Sequence, residues 1–221
     1  MKVVVDKQQL FLHDHFNILC LVIIVWVDIK YLCQSFGAFG VPQVKSEDEE
    51  LASVRFVLKV FSLYLVLDTL WVAMFPRCIP SKPMEIIGHH LVTLLYVYFP
   101  WYYREFGVPC ACDCLVEINT LCIVLRRNMP DGSLLQWVFD MAFLGTWAFF
   151  RLVLFPYVLY TTISQYLRHS AQVGSFANVM IMGPVFQGLL TVMGLYWTAL
   201  LVAKAKKRAK KLATESKKKE D

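Results

Sequence analysis

The chain of 221 residues is 57% hydrophobic and only 18% charged, with a mean hydropathy of +0.52. That balance excludes an ordinary soluble domain, because too little polar side chain is present to clothe a water-facing surface. The net charge of +5 requires no nucleic acid, since a basic stretch beside a bilayer is the usual face shown to anionic lipid.

A spanning helix needs about 20 mostly apolar residues, and six windows supply them, at roughly 16–37, 54–75, 84–101, 108–125, 134–160 and 176–203. The runs are continuous rather than alternating, which excludes an outer-membrane barrel. The expected fold is therefore an all-α polytopic membrane protein. A six-helix domain spans 16–203, between a cytosolic segment 1–15 and a basic cytosolic tail 204–221. The first window is not a signal peptide: Asp6 and Asp14 precede it, and Asp28 and Lys30 occupy its second half. In the second window Lys59 and Asp68 are nine residues apart and face opposite directions.

The third window, within "EIIGHHLVTLLYVYFP", places Glu85, His89 and His90 in apolar surroundings. Ionisable groups there are expensive unless they meet a partner or a wet cavity, so each is a functional candidate. Glu85 and His89 share one helix face; His90 lies about 100° around and shares a face with Thr93. The fourth window answers with Asp113 and Glu117, four apart on one face, followed by Asn119 and Thr120. Glu117 comes within reach of the histidines if the third and fourth helices are neighbours. In the fifth window Asp140 and Arg151 are eleven apart, nearly three full turns, and can line one side together.

Seven cysteines spread over apolar segments do not form a disulfide framework. Within "PCACDC" a helix turns Cys112 away from Cys110 and Cys114, so packing between helices is a better account than a metal site. Adjacent histidines cannot both ligate one ion from a regular helix, and five histidines in the chain are too few for a membrane di-iron oxygenase. No metal is expected. No serine elbow or phosphate-cradling glycine loop is visible either, and no cofactor is expected.

Lys and Arg concentrate on one set of connections: Lys2 and Lys7, Arg77 and Lys82, Arg126 and Arg127, and the run from Lys204 to Lys211. The other set holds Lys45, Arg104 and Arg168, which puts both termini in the cytosol. In the closing "SKKKED", Lys218 and Lys219 match a dilysine signal read by coat machinery, which implies residence in the endoplasmic reticulum membrane.

The segment "HHLVTLLYVY" resembles the double-histidine segment of TLC-domain proteins, the family of ceramide synthases and translocating-chain-associating membrane proteins. "LVEINTLCIVLRR" resembles the acidic segment that follows it, and the resemblance runs from about 50 to 203. Ceramide synthases carry a longer acidic signature, with a His-Asp pair ahead of a second Asp and a Glu. Asp113 and Glu117 match its last two acids, whereas Pro109 and Cys110 stand in place of the His-Asp pair. The resemblance thus points to the smaller TLC-domain proteins and implies a role in lipid homeostasis or membrane composition. On this reading a membrane lipid or acyl chain occupies a cavity lined by Thr93, Asn119, Asp140 and Arg151 beside the histidines. An alternative is an N-acyltransferase acting on acyl-CoA and a sphingoid base, with His89 or His90 as base and Asp113 and Glu117 orienting it. Another is a transporter or channel, for which Asp140 and Arg151 would line part of a path.

Overall fold

A computed structural model describes residues 5–38, 46–79 and 82–220. Lys2 and Lys45, which entered the orientation argument, lie outside them. The described helices are α1 (Lys7–Phe36), α2 (Glu47–Met74), α3 (Pro83–Val97), α4 (Gly107–Cys114), α5 (Glu117–Arg127), α6 (Leu134–Trp147), α7 (Phe155–Val173) and α8 (Met182–Glu220). No strand occurs among the described residues.

Among the described residues, five stretches are long and apolar enough to cross a membrane: Lys7–Phe36, Asp48–Met74, Gly107–Arg127, Leu134–Val173 and Val179–Lys211. The protein is an all-α, multi-pass membrane protein. The remaining expected window, 84–101, is α3, a helix of 15 residues followed by a 3-10 turn at Phe99–Trp101. Pro83 sets its first turn and Pro100 withholds a donor just beyond its end. At 1.5 Å per residue α3 is only about 22 Å long, short of a hydrocarbon core of about 30 Å.

Local chemistry sets the ends. Asp6 caps α1 by accepting from the backbone N–H groups of Gln8 (2.9 Å) and Gln9 (3.2 Å), and Gly37, at φ 62°, closes it. Residues 7–15, expected within a cytosolic segment, are part of this helix. They form the first turns of α1, where His13, Asp14 and Asn17 are buried. Ser46 and Ser133 cap α2 and α6 in the same way, and Gly174, at φ 72°, ends α7. Helix α8 continues through the basic stretch from 204, and the backbone of Lys218 and Lys219 lies in its last turns.

The helices form a ring. Helix α1 packs on α2, α2 on α3, α3 on α8, α8 on α7, α6 on α5, and α5 back on α1. Helix α4 lies against α1, α2 and α7. Leu21, Ile24, Val54, Leu58, Leu65 and Tyr96 belong to the buried core, while large apolar residues such as Leu19, Trp26, Leu63, Phe149 and Tyr157 face outward. An apolar exterior around a polar-lined interior is the arrangement that lipid demands. Cys110 and Cys114 pack in that core and Cys112 is half-buried; all seven thiols are free.

Candidate functional site

A cavity of about 440 Å³ occupies the middle of the ring, towards the end that carries Arg127 and Lys204. Every helix of the ring except α7 contributes to its wall, so it is a product of the whole bundle. His89, His90, Glu117, Asn119 and Arg151 all line it. Helix α3 packs mainly on α2 and α8. Glu117 thus meets the histidines across the cavity rather than from an adjoining helix.

The two histidines are held differently. The Thr69 hydroxyl donates to the Leu65 carbonyl (2.6 Å), so its 3.0 Å contact with His90 is a bond donated by His90 Nδ1–H. His90 Nε2 then faces Asp68 Oδ2 at 3.6 Å. His89 rests edge-on against Trp197, with ring centroids 5.2 Å apart, and its Nδ1 has no hydrogen-bond partner. Glu85 sits in the first turn of α3, where its carboxylate accepts from Lys82 Nζ at 2.7 Å. That bond holds the exposed Lys82 ammonium above its ordinary pKa.

Three expected lining residues take other places. Of Asp113 and Glu117 only Glu117 reaches the main cavity, and the chain tightens between them: Val116 N–H bonds to Asp113 O (3.1 Å) and Asn119 N–H to Val116 O (2.9 Å), both three residues back. Asp113 turns towards α8 and accepts from Gln187 Nε2 at 3.1 Å. Together with Thr93 it lines a separate void of about 20 Å³, on which His89 and Glu117 also border. Asp140 lies outside the cavity and pairs with Arg126. Its separation from Arg151 follows from a π-helical stretch at Ala148–Leu154, whose wider turn breaks the regular α repeat. Asn119 lines the cavity while anchoring α6, donating to Phe143 O (2.8 Å) and Thr146 Oγ1 (2.9 Å).

Beside these stands a network that the spacing argument missed. His13 Nε2 donates to Asp68 Oδ1 at 2.7 Å, Asn17 Nδ2 lies 3.1 Å from the same nitrogen, and Tyr64 donates to Asn17 Oδ1 at 3.0 Å. Arg127 pairs with Asp14, tying α5 to α1. His13, Asn17, Tyr64 and Asp68 all line the cavity. The signal was present: His13 and Asn17 are four apart in a helix leading into an apolar run, and the rule applied to His89 applies equally to them.

The family model described as the TLC domain matches residues 15–203, beginning well before the 50–203 stretch carried by the sequence resemblance. TLC domain-containing protein 4 A of Dictyostelium discoideum is 29% identical over 155 residues. The match covers 66% of this chain and 57% of that relative, so the chain spans little more than half the length of the curated relative it matches. No solved structure matches. A domain match over residues 15–203, on a ring of membrane helices with the double histidine and Glu117 facing one cavity, shows that the chain belongs to the TLC-domain family.

Proposed function

We propose that this TLC-domain protein binds a lipid or acyl chain in its central cavity and acts in lipid homeostasis or membrane composition in the endoplasmic reticulum. The observation that carries the reading is the cavity. Its volume of about 440 Å³ falls in the range of about 300–1,000 Å³ usual for ligand sites. It lies inside an apolar bundle and sets ionisable groups beside apolar side chains such as Ile123, Leu200 and Leu201. The lysine and arginine asymmetry supports a cytosolic position for the basic end. The test is to purify the protein in detergent and identify the lipids that stay with it by mass spectrometry, beside an Ile123→Trp variant that narrows the cavity. One lipid class enriched on the wild type and depleted from a folded variant is expected. Equal lipid content in both would defeat the reading.

An acyltransferase reading is favoured by one observation, that His89 and Glu117 face the same cavity. His90 is engaged by Thr69 and Asp68, which leaves His89 as the base for an amine attacking a thioester. Offered labelled acyl-CoA and a sphingoid base, an enzyme would give product that a folded His89→Ala variant loses by about 10²–10⁴-fold. Absence of product from the wild type sinks this alternative for those substrates.

A further inference from the structure

We propose that the cavity selects amphiphiles with an anionic head, a carboxylate or a phosphate monoester, and that the guanidinium of Arg151 holds that head. The proposal rests on the reading of the cavity as a lipid site and adds the chemistry of the ligand. Arg151 is 6% exposed, sits in the π-helical stretch, and lines the cavity wall. Its Nε and Nη1 are buried without a hydrogen-bond partner, and although the charge of Glu117 acts on it, no salt bridge joins it to a carboxylate among the described residues. A guanidinium keeps its charge at any ordinary pH, so it cannot escape a low-dielectric site by losing a proton. Left alone there, it is costly.

What surrounds it is aromatic. The Arg151 Cζ lies 4.7 Å from the ring centroid of Trp147, 5.0 Å from that of Trp197 and 5.8 Å from that of Phe155. Trp147 is itself fixed, its Nε1–H donating to Thr198 Oγ1 at 3.0 Å. Ring faces attract the cation but offer no acceptor to its N–H groups. The guanidinium is thus held at the cavity wall with N–H donors left over, and a carboxylate or phosphate is the acceptor such a group matches best.

The acids nearby have other duties. Asp68 serves His13 and His90, Asp14 serves Arg127, and Glu85 serves Lys82. Glu117 faces the same cavity and its charge acts on Arg151, but it makes no hydrogen bond to the guanidinium, so the Nε and Nη1 donors stay unmatched. A permanent positive charge therefore governs the head. Lys204, exposed on the same cavity, adds attraction for anions at its rim. A neutral head would leave Arg151 unmatched, and an amine would be repelled.

The test uses the full chain in phosphatidylcholine nanodiscs and measures equilibrium binding of four sixteen-carbon probes: hexadecanoate, hexadecyl phosphate, hexadecanol and hexadecylamine. At least one of the two anions should bind about tenfold or more tightly than the alcohol, with the amine weakest, as a charge-assisted hydrogen bond implies. Comparison of the two anions separates a carboxylate site from a phosphate site. In a folded Arg151→Gln variant the anion should fall to the level of the alcohol, while Arg151→Lys keeps part of the preference. The ranking of the four heads on the wild type decides even if the variants fail to fold. Equal binding of alcohol and anions, or tightest binding of the amine, overturns the proposal and leaves a lipid cavity of different head chemistry. Binding of none of the four overturns it together with the lipid reading.

Discussion

Asp68 shows what one carboxylate can organise inside a membrane bundle. It accepts from His13 of α1 at 2.7 Å and faces His90 of α3 at 3.6 Å, so three helices converge on a single side chain. His13 and Asp68 are 3% and 4% exposed, and in lipid neither has water to fall back on. His13→Ala leaves a buried acceptor without its donor and is expected to destabilise the protein by about 1–3 kcal/mol. Thermal unfolding in detergent reads this as a lowered Tm. Asp68→Ala on the same background should add less than it does alone, because contacting partners do not contribute independently. Additive effects would show that the two side chains merely stand near each other.

Two departures from the regular helix decide where the charged groups point. The 3-10 tightening between α4 and α5 sends Asp113 to Gln187 while Glu117 faces the cavity. The π-helical stretch before Pro156 presents Arg151 inward and leaves Asp140 to Arg126. Its origin is legible, since proline removes a helical N–H and crowds the preceding turn. The close approach of α8 to the 3-10 turn Arg104–Phe106 is a third element-level feature. A Cβ added to Gly183 would lie 2.5 Å from Phe106 Cε1, and Phe106 is fully buried. Gly183→Ala is therefore expected to destabilise the protein by about 1–3 kcal/mol through overpacking. Gly145, where an added Cβ meets nothing within 4 Å, supplies the control. Equal melting curves for Gly183→Ala and Gly145→Ala would contradict this packing.

At the scale of the molecule, the ring of helices surrounds the main cavity and gathers Arg77, Lys82, Arg127 and Lys204 around or beside the end towards which it lies. Orientation is open to a direct check. A glycosylation acceptor inserted near Glu49 is expected to be modified in the lumen of the endoplasmic reticulum, and one inserted in the connection 128–133 to stay unmodified. The reverse pattern would place the basic end in the lumen and break the charge argument.

The sequence by itself determined the class of the protein: a continuous apolar run is readable without any partner, because a bilayer imposes the same demand on every segment that crosses it. It also singled out His89, His90, Glu117 and Arg151, since each ionisable group stands out against an apolar background. Tertiary structure decided the rest. That α3 lies between α2 and α8, and that His13 of α1 reaches Asp68 of α2, depends on which helices become neighbours, and residue spacing within one helix carries no record of that. The places of Asp113 and Asp140 follow from the same limit: spacing arguments assume an unbroken α repeat, and tightened or widened turns appear only once helices must fit against one another.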